Sequence, residues 1–391
     1  MTDFALGVDQ EEWCGQLRAL AAGRLRPLAE KGEPGRVNRP LLAELGELGL
    51  LERVFASGAL ELCLLRESLA YGCTEAETAL ALQGLGAHPV LRAGSAAQRE
   101  RWLPAVRAGR AVAGFALSEP GAGSDAAALA LAAVPEPGGG GGGRGGTRGG
   151  WRLSGEKCWI SNAPEADFYT VFARTGEGPG AKGVSAFLIP ADRPGLGGEP
   201  LDMLSPHPIG SLAFDGVPVG REDLLGEPGQ GFRVAMQTLN LFRPSVGAFA
   251  VGMARAALDA TLAYTADRAA FGGTLSDLQA VAHRVAEMAT RTEAARLLVY
   301  AAAGAYDRDP GSREVPRRAA MAKLLATETA QYVVDHAVQL HGAVALRRGH
   351  LLEHLYREVR APRIYEGASE VQRGIIAKEL YGALPGEASA R

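Results

Sequence analysis

With 391 residues, 47% of them hydrophobic and 22% charged, the chain is predicted to form a globular protein of two or three domains. Its formal net charge of −3 argues against nucleic-acid binding, and the absence of any run near the roughly 18 uninterrupted apolar residues of a spanning helix argues against a membrane protein. The four scattered cysteines form no C-x-x-C pair and the first residues lack a secretory signal pattern, so we expect free thiols in a cytoplasmic enzyme.

Residues 1–112 are predicted to form an N-terminal helical domain. Leucines recur at helical spacing, at positions 41, 45 and 48 and again at 62, 65 and 69. Thr74-x-x-Glu77 and Ser95-x-x-Gln98 match the capping box that begins a helix.

Residues 113–226 are predicted to form a small antiparallel β domain. A Gly-rich loop at 134–150, with ten glycines in 138–150, is predicted to be flexible and solvated. It is not predicted to bind phosphate, because no helix start follows it. The other segments are strand-favouring runs separated by Gly and Pro: Ala111–Leu117, Trp151–Ile160, Phe168–Phe172, Val184–Ile189 and Leu212–Val219.

Residues 227–391 are predicted to form a C-terminal helical bundle. Ala-rich stretches at 246–270 and 318–345 have high helix propensity, and Asp309-Pro310-Gly311 predicts a break between two helices. The fold class is therefore mainly α with a central β domain. The seven histidines have no metal-ligand spacing, so no metal site is predicted.

Four segments suggest chemistry. Phe115–Asp125 places Gly and Ser in a turn after a strand, and Lys157–Ala163 places Trp159 and Ser161 two residues apart, as on one strand face. In the third segment, Arg268-Ala-Ala-Phe271-Gly272 precedes a helix start at Leu278-Gln279. In the fourth, Arg363–Gln372, a glutamate stands beside a glycine in a loop or strained helix end.

These segments, in this order over nearly the whole chain, resemble the acyl-CoA dehydrogenase family of flavoenzymes. Gln339-Leu-His-Gly342 and the turn at 226–231 strengthen the resemblance. It implies the acyl-CoA dehydrogenase fold, in which the predicted β domain lies between an N-terminal helical domain and a C-terminal four-helix bundle. It also implies a homotetramer that holds FAD partly between subunits.

The resemblance implies the FAD contacts residue by residue. Ser118 would contact the pyrimidine edge of the flavin ring and Ser161 would bond near its N5 atom. Arg268 would reach the FAD diphosphate from a neighbouring subunit, where a guanidinium fork suits a pyrophosphate. The full implied set is Phe115, Leu117, Ser118, Gly123, Ser124, Trp159, Ile160, Ser161, Arg268, Phe271, Gln279, Gln339, Gly342, Ala368 and Glu370.

Glu366 is the implied catalytic base, which removes the proton α to the thioester carbonyl while a hydride leaves the β carbon for flavin N5. Substrate binding expels water and makes a carboxylate a stronger base. Gly367 would let the backbone approach the thioester. Ser124, Asn240 and Arg243 would contact the acyl-CoA arm, and Asn240 stands where many relatives have Asp.

The implied function is FAD-dependent α,β-dehydrogenation of an acyl-CoA, with an electron-transferring flavoprotein or a similar acceptor. Three alternatives remain: the same oxidation on an acyl group bound to a carrier protein, a flavin monooxygenase or oxidase on this fold, and an interaction protein without flavin. The sequence leaves the length, branching and aromatic character of the acyl group open.

Overall fold

The computed structural model describes residues 6–136 and 149–382, so most of the Gly-rich loop predicted at 134–150 lies outside the described residues. The α-helices are α1 Val8–Leu20, α2 Arg26–Ala29, α3 Arg39–Glu47, α4 Leu50–Ala56, α5 Ala59–Gly72, α6 Thr74–Ala93, α7 Ala96–Arg107, α8 Gly231–Asp267, α9 Gln279–Arg308, α10 Val315–His341, α11 Leu351–Glu358 and α12 Ser369–Gly382. The strands are β1 Ala113–Ala116, β2 Ala132–Pro135, β3 Trp151–Ser161, β4 Phe168–Arg174, β5 Val184–Pro190, β6 Leu196–Pro200, β7 Ile209–Val219, β8 Ala269–Ala270 and β9 Gly273–Thr274.

The chain folds into two compact units, each built from discontinuous segments. The helical unit comprises Met1–Pro27, Ser57–Glu77 and Asn240–Arg391, and the sheet unit comprises Leu28–Ala56 and Thr78–Leu239. The predicted fold class, mainly helical with a β domain in the middle of the chain, is confirmed.

The sheet unit is built on a seven-stranded sheet. Its order is β1-β4-β2-β3-β7-β6, and β5 pairs with β4. β4 is buried as far as Ala173 and β5 along its whole length, which their mostly apolar sequences explain. β3 and β7 expose many more residues, as strands with one solvated face do.

Two features of the predicted β domain are wrong. The sheet is mixed rather than antiparallel, because β1 and β2 both pair in parallel with β4. Ala132–Pro135 forms β2, although the Gly-rich loop was expected to begin at 134, and Leu196–Pro200 forms β6 without any strand prediction. Pairing with β3 and β7 supplies the backbone hydrogen bonds that hold these two weakly strand-favouring segments.

In the helical unit, α10 packs against α9, α11 and α12. Its buried face is mostly alanine and valine, which permits close helix packing. The break predicted at Asp309-Pro310-Gly311 is confirmed between α9 and α10. The helix predicted over 246–270 ends earlier, since Asp267 closes α8 and Ala269–Ala270 form β8.

One helix among the described residues, α8, is long and apolar enough to cross a membrane by length and composition alone. Of its most apolar 18-residue window, 67% is buried inside the protein. A buried core helix passes the same test, so this observation is weak evidence for a membrane span.

The two predicted capping boxes have different outcomes. Ser95 caps α7 as expected: its Oγ accepts from the Gln98 amide at 3.2 Å, and Gln98 Oε1 accepts from the Ser95 amide at 2.7 Å. The box at Thr74 is wrong, because Thr74 already lies in the first turn of α6 and Glu77 forms an ion pair with Arg66. Glu77 therefore bonds Arg66 of α5 and not the start of its own helix at Thr74.

Candidate active site

Glu366 lies in a strained turn that precedes α12. Its φ is +53°, in the left-handed region that residues with side chains rarely occupy, and Gly367 follows with a φ of +96°. A Cβ at Gly367 would also clash with the side-chain amide of Gln372. The positive φ of Gly367 therefore favours glycine, and a larger residue would also displace the Gln372 amide. Of the two predicted settings, a loop or a strained helix end, the structure shows a turn before the helix.

Three side chains hold the two carbonyl groups of this turn. The Glu366 carbonyl accepts from Arg243 Nε and from Gln372 Nε2, each at 3.2 Å. The Gly367 carbonyl accepts from Lys323 Nζ at 2.7 Å and from Gln372 Nε2 at 2.8 Å. Arg243, Lys323 and Gln372 thus donate to backbone oxygens of the turn and not to the Glu366 carboxylate in these bonds.

The carboxylate of Glu366 has a buried oxygen atom and a raised pKa. Within residues 6–136 and 149–382, no hydrogen-bond donor reaches its buried Oε2 atom. Burial raises the pKa of Glu366, and the positive charges of Arg66, Lys323 and Arg243 oppose that rise. A carboxylate with a raised pKa and a free oxygen suits general-base chemistry.

Arg66 belongs to a buried ion pair that the sequence did not indicate. Its Nε donates to Glu77 and its Nη1 donates to Ser245 Oγ at 2.6 Å. Arg66 is 3% exposed and Glu77 fully buried. Glu77 therefore helps to keep the guanidinium of Arg66 charged in the interior. That positive charge opposes the rise in the pKa of Glu366.

In the sheet unit, two predicted flavin segments lie side by side. The Cys158 amide donates to the Ser118 carbonyl at 3.0 Å, and Lys157 Nζ donates to the Leu117 carbonyl at 3.0 Å. Strict strand alternation fails here, since the register of β3 shifts between Lys157 and Ile160 and Trp159 has a φ of +57°. Trp159 and Ser161 are nonetheless both more exposed than Ile160 between them.

The turn after β1 is organised by a buried ion pair. Glu119 Oε1 accepts from Lys157 Nζ at 2.7 Å, and the two Glu119 oxygens accept from the amides of Ala130 and Leu131 at 2.6 and 2.9 Å. Burial lowers the pKa of Lys157 to about 8. Burial alone would raise the pKa of Glu119, but the bonds from Lys157 and the amides bring it below its usual value.

We expect Glu119→Gln to lower the free energy of unfolding by about 1–2 kcal/mol, because Lys157 loses its buried counter-charge. The cost stays limited since Lys157, with a pKa near 8, can release its proton. Urea unfolding followed by circular dichroism measures the change. Glu136→Gln is the matched control, because Glu136 pairs with Arg152 on the same sheet with both side chains well exposed; equal losses for both variants would contradict the prediction.

The residues around this turn fit a flavin. Trp159 is 49% exposed, an unusual fraction for a tryptophan. Ser118 and Ser161, which carry hydroxyl groups, are half-buried. Among the described residues, nothing lies within 4 Å of a Cβ built on Gly121 or Gly123. Phe115, Leu117 and Ile160 are buried beneath, and Ser124 is exposed. Together they form an open surface of aromatic, hydroxyl and backbone amide groups.

The remaining predicted FAD residues lie in the helical unit. Arg268 precedes the β8–β9 hairpin, whose turn is Phe271-Gly272 with φ values of +53° and +84°. Two positive φ angles fit a type I′ turn, where phenylalanine is unusual, and Phe271 is 90% exposed. Gln279 begins α9 as predicted. Gln339, Gly342 and Glu370 are exposed and Ala368 is half-buried.

The residues predicted to contact the acyl-CoA arm have different surroundings. Asn240 is half-buried, and its Oδ1 accepts from Arg243 Nη1 at 3.4 Å. Arg243 itself is 6% exposed and bonds the backbone of Glu366, so the structure assigns it a contact with the turn that the sequence did not indicate.

Lys323 and Gln372 were also missed. Lys323 interrupts the apolar stripe formed by Ala319, Ala320 and Ala326, and this interruption was the available signal. Among the described residues, no group of three or more His, Cys, Asp or Glu side chains could hold a metal ion.

Comparisons with known proteins give a consistent result. Three family models match in succession: "Acyl-CoA dehydrogenase, N-terminal domain" over residues 8–110, "middle domain" over 114–217 and "C-terminal domain" over 229–381. The mitochondrial short-chain specific acyl-CoA dehydrogenase of Bos taurus is 38% identical over 318 residues, which are 80% of this chain and 74% of that protein.

Two solved structures show the same fold. Butyryl-CoA dehydrogenase from Megasphaera elsdenii is 30% identical with a TM-score of 0.87, and the match covers 97% of this chain and 100% of that one. A glutaryl-CoA dehydrogenase from Mycobacterium smegmatis in complex with FADH2 is 27% identical with a TM-score of 0.87, and the match covers 100% and 98%.

Proposed function

Because the chain belongs to the acyl-CoA dehydrogenase family, we propose that it oxidises an acyl-CoA between Cα and Cβ to the trans-2-enoyl thioester. Family membership makes the chain an enzyme with FAD as its cofactor. The Glu366 carboxylate carries the proposal for the mechanism, because no donor in the described part of the chain reaches one of its oxygens and three side chains hold its turn.

Glu366 is proposed to remove the α proton of the substrate. Its left-handed backbone and the bonds to the carbonyls of residues 366 and 367 fix the direction of the side chain. Arg66, Lys323 and Arg243 favour the ionised form, whereas burial strengthens the basicity of the carboxylate. When bound, FAD supplies the hydride acceptor for the β carbon.

The sheet unit is proposed to hold the flavin ring. Ser118 and Ser161 would bind polar atoms of the ring, and Trp159 would pack against it. The Glu119–Lys157 pair fixes these segments by bonding the Leu117 carbonyl and the amides after the turn. Ser124 and Asn240 remain proposed contacts for the acyl-CoA arm.

An anaerobic titration with acyl-CoAs of increasing length, beginning with butyryl-CoA, tests this function. We expect stoichiometric bleaching of the flavin absorbance by at least one acyl-CoA, because α,β-oxidation transfers two electrons to FAD. Failure with every acyl-CoA but bleaching by the same acyl groups on a carrier protein would move the substrate to carrier-bound acyl groups. Rapid reoxidation of the reduced flavin by air would instead indicate an oxidase or monooxygenase.

We further propose a cytoplasmic homotetramer that passes electrons to an electron-transferring flavoprotein. The 90% exposed Phe271 in its hairpin, next to Arg268, supports a role for this segment against another subunit's FAD. Sedimentation equilibrium tests the assembly, and a purely monomeric FAD-loaded protein would contradict it. Turnover coupled to a purified electron-transferring flavoprotein tests the acceptor.

A further inference from the structure

Helix α10 holds the turn that carries Glu366 at three points. Lys323 Nζ donates to the Gly367 carbonyl at 2.7 Å. Five residues further along α10, Glu328 pairs with Arg363 Nη2 at 2.9 Å and accepts from Ser369 Oγ at 2.5 Å. Glu328 thus fixes both ends of the 363–369 segment and Lys323 fixes its middle.

A buried lysine at position 323 is unfavourable for the free energy of folding. Its side chain is fully buried, at 0% exposure, on a helix face made mostly of alanine and valine. Burial of an ammonium costs free energy, and an apolar side chain would fill the same position without that cost. Stability of the helix packing therefore does not explain a lysine here, whereas its bond to the turn does.

We propose that Lys323 is a positioning residue for the reaction, an inference that rests on the proposed function of Glu366. Its bond to the Gly367 carbonyl holds the left-handed turn, so that the carboxylate points toward the substrate's α carbon. Its positive charge stabilises the ionised form of that carboxylate.

The charge effect predicts a shift in pH dependence. Glu366 acts as a base only when ionised, so the rate rises with pH through its pKa. Glu366 faces Tyr365 on its own segment, Arg66 of α5, Arg243 of α8 and Lys323 of α10. Removing Lys323 leaves two arginines, and the rising limb should therefore move to higher pH without disappearing.

Lys323 has charged neighbours of its own. They are Glu366, Arg243, Glu328 of the same helix and Glu370 of α12. Burial lowers the pKa of Lys323 to about 8. The ammonium is therefore mostly protonated at neutral pH and loses its proton as the pH rises past 8.

The test is stopped-flow reduction of the FAD-loaded enzyme by butyryl-CoA, or by the best acyl-CoA of the titration, over a range of pH. Lys323→Met should slow flavin reduction about 10- to 100-fold at unchanged FAD content, because a misplaced base loses its near-attack geometry. Lys323→Gln, which keeps a donor but no charge, should recover part of the rate and retain the shifted pH limb. Thr327→Val is the control: Thr327 is also fully buried on α10, and its hydroxyl donates to the Lys323 carbonyl within the helix.

The outcomes separate the two proposals. Wild-type enzyme that no acyl substrate reduces would refute the proposed function. Active wild type with Lys323→Met at the wild-type rate and pH profile would overturn the positioning role. If Lys323→Met fails to fold, Lys323→Gln decides: a wild-type rate and pH limb overturn the role, and a shifted limb at full FAD content supports it.

Discussion

Replacing Glu366 with Gln should leave FAD bound and slow its reduction by an acyl-CoA by roughly 10²- to 10⁴-fold, the contribution of a general base. The substitution keeps the size of the side chain and leaves the bonds to the carbonyls of residues 366 and 367 in place. It removes only the group that accepts the proton. Anaerobic stopped-flow measurement of flavin reduction gives the rate, and the flavin spectrum gives the FAD content.

Glu370→Gln separates this base from its neighbour. Glu370 lies four residues further along with a side chain that is 82% exposed and pairs with Arg373, so it lacks the buried surroundings of Glu366. We expect a much smaller effect on the rate. Loss of reduction in Glu370→Gln together with normal reduction in Glu366→Gln would assign the base to Glu370.

Glu67→Gln should lower the free energy of unfolding by about 3 kcal/mol, the lower end of the range for a broken buried ion pair. Glu67 is 2% exposed. Its carboxylate accepts from Arg255 Nη1 at 2.6 Å, Arg296 Nε at 3.0 Å and Tyr300 OH at 2.6 Å, and so links α5, α8 and α9. The arginines cannot release a proton, unlike Lys157 beside Glu119, but their partial exposure moderates the cost.

Urea unfolding of FAD-loaded protein measures this loss. Glu287→Gln is the matched control, because Glu287 forms an exposed i,i+4 pair with Arg291 on α9. Such a pair contributes about 0.3–0.5 kcal/mol. A loss in Glu67→Gln no larger than in this control would show that the three-helix cluster does not stabilise the helical unit.

Local patterns in the sequence predict most of the fold. Leucine and alanine periodicity identifies the helices, and five strand-favouring runs correspond to β1, β3, β4, β5 and β7. β6, with the sequence Leu-Gly-Gly-Glu-Pro, has no such pattern, because its pairing with β7 depends on backbone bonds. The parallel pairing of β1 with β4 joins residues far apart in sequence, so no local signal encodes it.

The family motif predicts Glu366 as the candidate base, but it does not predict the residues that hold its turn. Glu366 and Gly367 stand out in sequence because they occur together in a family motif. Arg66 does not stand out, since charged residues on helices are usually solvated. Lys323 is marked only by its interruption of a stripe of alanines. Only the folded structure shows that both are buried and that each acts on the same carboxylate.

Four described residues other than glycine have a positive φ: Trp159, Asn162, Phe271 and Glu366. A left-handed backbone costs a residue with a side chain roughly 1–2 kcal/mol, which glycine avoids. A mutant library selected only for survival at high temperature would therefore enrich glycine at Trp159, Phe271 and Glu366. Such variants would be more stable but would lack the aromatic rings of Trp159 and Phe271 and the carboxylate of Glu366. A selection for heat resistance therefore has to measure turnover in the same round.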